Sequence, residues 1–160
     1  MLFRSKMDVI PNRVNTMWMD PQTPGLYLGQ CAQYCGTQHA KMLLRVYADT
    51  PTDFAAWVAH QQQAAVQSPD AAEGKAVFEH NACISCHTVA GTVANGRFGP
   101  DLTHLASRDT FASGSVPMSR ENLRAFVDDP SHFKPGVLMP PMHLNQHDLD
   151  LVTSYLITLK

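Results

Sequence analysis

Apolar and polar residues change rhythm along the 160-residue chain, and the changes divide it. From Ile10 to Met19 large apolar residues alternate with polar ones, which predicts an extended strand, and Pro21 to Gly25 supplies turn chemistry. Leu26–Gly29 and Met42–Ala48 predict two further short strands. After Thr50 the period lengthens. Thr50-Pro51-Thr52-Asp53 places a hydroxyl cap, a first-turn proline and an acid at a helix start, and Phe54, Trp57 and Val58 recur at helical spacing. This helix is expected to reach about Val66, with Gln67-Ser68-Pro69 breaking it. Ala71–His80 predicts a second helix, with Gly74 and Phe78 one turn apart on one face. Ser119 is expected to cap a helix running to Asp129 and ended by Pro130. Asn145 is expected to cap a final one from Gln146 to about Leu159, with Leu149, Val152, Leu156 and Leu159 as its apolar stripe and Gly74 small enough for a close crossing.

The pattern predicts an α+β chain in two parts: a β-rich segment over 1–50 and an all-α unit over 70–160, joined by a helical connector over 51–69. A content of 44% hydrophobic residues is enough for packed cores, and the four cysteines fall in two separated pairs, which favours two small units. The net charge of −2 and the lack of a basic run give no reason to expect nucleic acid. Residues 1–50 carry five Lys/Arg against three Asp/Glu and the remainder seven against eleven, a mild attraction between the parts.

The second cysteine pair lies in Cys83-Ile84-Ser85-Cys86-His87. Thiols at i and i+3 reach the two vinyl groups of a haem while the next residue turns an imidazole onto the iron, so the motif predicts covalent attachment of one c-type haem. Half a zinc site or a redox dithiol are the alternatives for CxxC alone. A sixth iron ligand is expected from Lys134-Pro135-Gly136-Val137-Leu138-Met139-Pro140-Pro141-Met142, where a proline-stiffened loop delivers a flexible thioether. Met139 is the expected ligand and Met142 the alternative.

The first pair lies in Cys31-Ala32-Gln33-Tyr34-Cys35-Gly36-Thr37-Gln38-His39-Ala40-Lys41-Met42. Two thiolates, an imidazole and a thioether in one loop form a soft donor set suited to copper and poorly suited to calcium or magnesium. A Cys31–Cys35 disulfide and a zinc site shared with Cys83 and Cys86 are the competing readings. His60, on the connector, is expected on a solvated helix face.

This loop, with Pro24-Gly25-Leu26-Tyr27 before it, resembles the binuclear CuA signature of subunit II of haem-copper cytochrome c oxidases, and Asp8–Pro11 and Trp18 resemble the strand that precedes it. The resemblance implies a partial cupredoxin fold in which Cys31 and Cys35 bridge two coppers, His39 and Met42 are terminal ligands, and Gln33 offers its backbone carbonyl. The family usually has Glu at Gln33, where it helps to hold magnesium, and a neutral amide is a poor magnesium ligand. The family also takes a histidine ligand from an upstream strand; none precedes Cys31 here, so the copper ligand set is expected to be incomplete and copper weakly held.

Residues 71–160 resemble class I cytochromes c through CxxCH, Phe98-Gly99-Pro100-Asp101-Leu102 and the methionine loop, in that order. The resemblance implies that the Pro100 carbonyl accepts the outer N–H of His87 and that Leu102 packs on the haem. Phe126 stands where related domains commonly have Trp, which leaves Arg97 or Arg108 to hold a haem propionate. The fusion of the two parts is similar to subunit II of caa-type oxidases. It implies electron entry at haem c, passage to CuA, and delivery to oxidase subunit I, with a donor cytochrome or upstream respiratory complex as further partner. In that scheme the chain is an electron-entry part of an oxidoreductase and no residue is a nucleophile or general base. A free-standing soluble monohaem carrier with a vestigial copper loop is the alternative.

The implied place is the outer face of the bacterial cytoplasmic membrane, reached through upstream residues or partner subunits. The sequence has no apolar run of about 20 residues, and Met1-Leu2-Phe3-Arg4-Ser5-Lys6 is too short and polar for a secretory signal. The expectation is an N-terminus lying upstream or a partial gene product.

Overall fold

The computed structural model describes residues 6–66 and 68–160, so most of the 1–6 segment and Gln67 lie outside the described residues. The first regular element among the described residues is an antiparallel hairpin, β1 (Gly25–Gln30) with β2 (Leu43–Ala48), in register from Gly25↔Ala48 to Gln30↔Leu43. The copper-type loop is the connection between these strands. Cys31 N donates to Met42 O at 2.9 Å, which continues the ladder one step and brings the two ends of the loop together. The hairpin is thinly covered: Leu26, Leu28 and Leu44 are exposed.

Residues 10–19 form no strand, contrary to the alternating pattern. Alternation marks a side-chain period, but a strand also needs an edge to pair with, and among the described residues none is aligned with this segment. Asn12 instead takes a left-handed conformation (φ 61°) in a turn at Pro11–Asn12, and Val14 and Trp18 are exposed.

Helix α1 (Pro51–Gln61) begins as expected: the Thr50 hydroxyl accepts from Asp53 N at 3.2 Å, with proline in the first turn. It stops about a turn short of Val66. Gln61–Gln63 has no apolar residue to continue the stripe, and the chain turns inward so that Ala65, 5% exposed, donates its N–H to Ala90 O. His60 is half-buried, its ring 4.4 Å from that of the buried His104, and not on a fully solvated face.

Residues 69–160 pack around one core of Phe78, Val89, Leu102, Leu105, Leu123, Val127, Leu149, Val152, Tyr155 and Leu156. A 3-10 turn at Pro69–Ala71 leads into α2 (Ala72–His80), and α3 (Cys83–Cys86) is a single turn carrying the CxxC thiols. A two-residue ribbon, β3 (Thr110–Phe111) with β4 (Val116–Pro117), precedes α4 (Arg120–Asp128), α5 (Pro130–Phe133) and α6 (Gln146–Leu156). The caps fall where local chemistry puts them: Ser119 accepts from Asn122 N, and Asn145 accepts from Asp148 N. Pro130 ends α4 and opens α5 at its first position, where the N–H would have no intrahelical partner anyway. Helix α6 ends at Leu156, yet Leu159 remains fully buried and its carbonyl accepts from Ala106 N at 2.7 Å.

Helices α2 and α6 cross with their backbones in close approach. A Cβ on Gly74 would overlap the Leu151 carbonyl oxygen and lie 2.9 Å from Tyr155 Cβ. Only glycine allows this approach, and it is the approach that seats Phe78 against Tyr155, with ring centroids 5.6 Å apart. No described helix is long and apolar enough to cross a membrane.

Candidate metal centres

The CxxCH turn is held by the segment behind it. His87 N bonds Cys83 O, Gly96 N bonds His87 O, and Gly99 N bonds Cys86 O at 2.7 Å. Thr88 adds a hydroxyl bond to Gly96 O at 2.8 Å and a carbonyl bond from Leu102 N at 2.8 Å. These bonds fix the backbone on both sides of the histidine. The His87 ring itself is set by Nδ1, which lies 2.7 Å from Pro100 O. A carbonyl only accepts, so Nδ1 carries the proton and Nε2 keeps its lone pair for a metal. Gly99 shapes the other side: a Cβ there would sit 2.6 Å from His87 Cε1 and 2.8 Å from Nδ1.

Cys83 and Cys86 are half-buried free thiols, with Cys83 and Ile84 packed against the core. Burial pushes the Cys83 thiol up, as expected for a sulfur in apolar surroundings. Leu102 joins the core at 9% exposure. Met139 and Met142 are both half-buried, but only Met142 packs against the core cluster. Arg108 Nη2 donates to Asp101 O at 2.6 Å, and Arg97 is exposed. Phe126 stacks edge-on against Phe111, 5.2 Å between centroids.

The 31–42 loop brings its donors together. Cys31 Sγ and Cys35 Sγ are 3.5 Å apart, too far for a disulfide, and the ligand atoms of Cys31, Cys35 and His39 all lie within 4.8 Å of one another. Cys35 Sγ is 3.8 Å from His39 Nδ1 and 3.8 Å from Met42 Sδ, and Cys31 Sγ is 3.0 Å from the Gln33 carbonyl. Gly36, at φ 119°, makes the turn beside the second sulfur, and the 3-10 turn His39–Lys41 then lifts the imidazole back over the loop. The hydrogen bond with Cys31 and the closeness of that second sulfur hold the Cys35 thiol above its ordinary range. A soft cation displaces such a proton and turns the crowding of two sulfurs into shared coordination. All five donors named from the sequence therefore meet in one place, and they suit copper. The Cys83/Cys86 pair belongs to a different element, so the five donors make up the site without it.

Sequence reasoning overlooked the positioning residues: Thr88, Gly96 and Gly99 around His87, and the residues that join the two loops. The glycines left a trace in the Gly99-Pro100 dipeptide. The loop contacts left none, because they pair positions more than ninety residues apart.

Residues 71–160 match the cytochrome c family, and residues 2–48 match the periplasmic domain of cytochrome C oxidase subunit II. The chain is similar to cytochrome c oxidase subunit 2 of Alkalihalophilus pseudofirmus, 36% identical over 97% of this chain and 45% of that protein. It is 34% identical to cytochrome c oxidase subunit 2 of Bacillus sp. strain PS3, over 97% of this chain and 47% of that protein. Against the Bacillus subtilis protein of the same name it is 28% identical over 84% of this chain and 40% of that protein. The chain thus spans about half the length of the curated relatives it matches. The two family matches imply haem c and CuA.

Proposed function

This chain belongs to the cytochrome c family, and from that and the match of residues 2–48 to the periplasmic domain of cytochrome C oxidase subunit II we propose that it is the electron-entry relay of a respiratory terminal oxidase. In this role the chain would hold one haem c and a binuclear copper centre, which together would supply one-electron transfer toward subunit I. The observation that carries the reading is the presence, in one chain, of a haem-attachment turn with an oriented histidine and a loop whose sulfur and imidazole donors converge. When bound, a haem and a thiolate-bridged copper pair each accept and release one electron with little rearrangement.

The residues of the chain supply everything else. Cys83 and Cys86 would anchor the porphyrin through thioethers. His87 would offer Nε2 to iron, with its tautomer and plane fixed by the Pro100 carbonyl, and Met139 would supply a second ligand. Leu102 keeps water from the macrocycle. Cys31, Cys35, His39 and Met42, with the Gln33 carbonyl as a further donor, would hold the copper. Gln33 cannot replace a carboxylate at a magnesium ion. No histidine precedes Cys31, so residues 1–160 hold copper weakly without a further imidazole. The chain is divided as 1–50 copper domain, 51–69 connector and 70–160 haem domain, and it works at the outer face of the cytoplasmic membrane against the membrane-bound subunits.

A soluble carrier with a vestigial copper loop is not favoured. The oxidase relatives cover both parts of the chain, and a loop released from function has no reason to keep Cys31, Cys35 and His39 converged with Met42 beside them. The test is production of the chain alongside the cytochrome c maturation machinery. The expected product carries haem that survives a denaturing gel and is lost in Cys83→Ala/Cys86→Ala; a colourless product overturns the assignment.

A further inference from the structure

We propose that Gln38 and Ser113 are positioning residues that clamp the copper-type loop to the methionine loop, so that metal loading at the first sets the order of the second. The inference rests on the reading of His39 and Met139 as ligands, and its geometry is independent of that reading.

Neither residue is a candidate ligand, and each reaches across a long stretch of sequence. Gln38 Nε2 donates to Pro135 O at 2.7 Å, and Lys41 Nζ lies 3.4 Å from Phe133 O. The two side chains flank the 3-10 turn His39–Lys41, whose backbone closes through Lys41 N to Gln38 O at 2.9 Å. A displacement of Gln38 is therefore a displacement of His39. On the far side, Pro135 opens the turn closed by Val137 N to Lys134 O at 3.0 Å, with Gly136 at φ 82°, and that turn delivers Met139.

Ser113 makes the second tie. Its carbonyl accepts from Leu43 N, the residue after Met42, at 3.0 Å, and its hydroxyl accepts from Lys134 Nζ at 3.0 Å. Ala112, Ser113 and Gly114 all have positive φ (49°, 61° and 78°). Two consecutive non-glycine residues in this region are costly unless neighbouring contacts hold them. The bonds to Leu43 and Lys134 do so at Ser113, and a Cβ on Gly114 would already press to 3.3 Å from Leu43 Cβ. The exit of one ligand loop and the entry of the other are thus bonded to the same strained residue.

A metal that immobilises Cys31, Cys35, His39 and Met42 removes the freedom of the loop on which Gln38 and Leu43 sit. Through the two ties the Pro135–Met139 turn loses freedom with it. The coupling is reciprocal: ligation of Met139 favours the closed copper loop by the same factor.

Hydrogen–deuterium exchange on the full, haem-loaded chain tests this, with and without a Cu(II) salt, for the native sequence, Gln38→Leu and the nearly isosteric Gln38→Glu. Both variants remove the donor to Pro135 O. The expected result is exchange about fivefold faster at 136–139 in either variant, the size set by one lost hydrogen bond, and a copper response at 136–139 reduced to what the remaining Ser113 tie carries. In the native chain copper slows both segments. Unchanged exchange at 136–139 in the metal-free variants overturns the clamp, and so does an undiminished copper response at 136–139 in them. If copper leaves 31–42 of the native chain unaffected, the metal assignment of that loop fails, while the metal-free comparison still decides the clamp. Equal helix content in the three proteins excludes global unfolding as the cause.

Discussion

Replacing Gly74 with alanine adds one methyl group where α2 meets α6, and the consequence can be worked from the contact. The new Cβ would overlap Leu151 O and stand 2.7 Å from Leu151 C and 2.9 Å from Tyr155 Cβ. Two of these three atoms are backbone of the opposing helix, so no rotamer change relieves the clash. The helices must separate, by roughly 1 Å, and a gap of that size forfeits a quarter to a half of each dispersion contact across it. Phe78, Leu149, Val152, Tyr155 and Leu156, all under 5% exposed, share that interface. Overpacking costs about 1–3 kcal/mol in ordinary cores, and backbone-on-backbone contact puts Gly74→Ala at or above the upper end. Alanine returns about 1 kcal/mol through helix propensity. The net expectation is a loss of about 2 kcal/mol, which for a domain of this size lowers Tm on the order of 10 °C. Thermal and urea unfolding of the haem-loaded chain, followed by far-ultraviolet circular dichroism and the Soret band, measure it. Gly136→Ala is the control: its Cβ meets no atom within 4 Å, and only the strain of φ 82° opposes it, about 1 kcal/mol. If Gly74→Ala costs no more than this control, the close crossing is wrong.

Three further outcomes follow. Gly99→Ala pushes on the His87 ring at Cε1 and Nδ1, so the haem-loaded variant should shift toward high spin in its optical spectrum; an unchanged spectrum contradicts the packing. Met139→Ala should abolish the sulfur-to-iron charge-transfer band at little cost in stability, whereas Met142→Ala, which removes a side chain packed on the core, should keep the band and cost about 2 kcal/mol; the opposite pair of results exchanges the two assignments. Asp129 and Asp150 are held below the ordinary value of 3.8, Asp129 chiefly by its hydrogen bond with Ser131 and Asp150 chiefly by that with Arg124. Depressed carboxylates stabilise the fold above their unfolded value and lose that contribution as pH falls through the folded one. Tm should be level from neutral pH to about 5 and fall below about 4, less steeply in Asp129→Asn/Asp150→Asn; equal acid slopes refute this.

What was legible in the sequence was whatever is decided within one turn or one loop. The Thr50, Ser119 and Asn145 caps depend on a side chain and an N–H three residues on. The hairpin β1–β2 was readable from its two apolar runs, and the close helix crossing from a lone small residue on an apolar face. The Cys31–Met42 donors are convergent because their spacing closes a loop, which a sequence displays directly. Pairing partners were not legible. The alternation at 10–19 resembles a strand in every local respect and still has no described edge beside it, and α1 ends where Ala65 turns to meet Ala90. The tilted contact of His60 with His104, the tie from Gln38 to Pro135 and the tie from Ser113 to Leu43 join residues 44, 97 and 70 positions apart. Polar side chains of that kind carry no periodic signal, so only the folded chain brings them together.

The relay itself is tested most directly by following the optical bands of the haem and the copper centre after rapid addition of reductant to an oxidase containing this chain. The account predicts that the haem attached at Cys83 and Cys86 reduces first and the copper centre second, and that Cys83→Ala/Cys86→Ala abolishes fast copper reduction. Copper that reduces as quickly without the haem as with it would contradict the account.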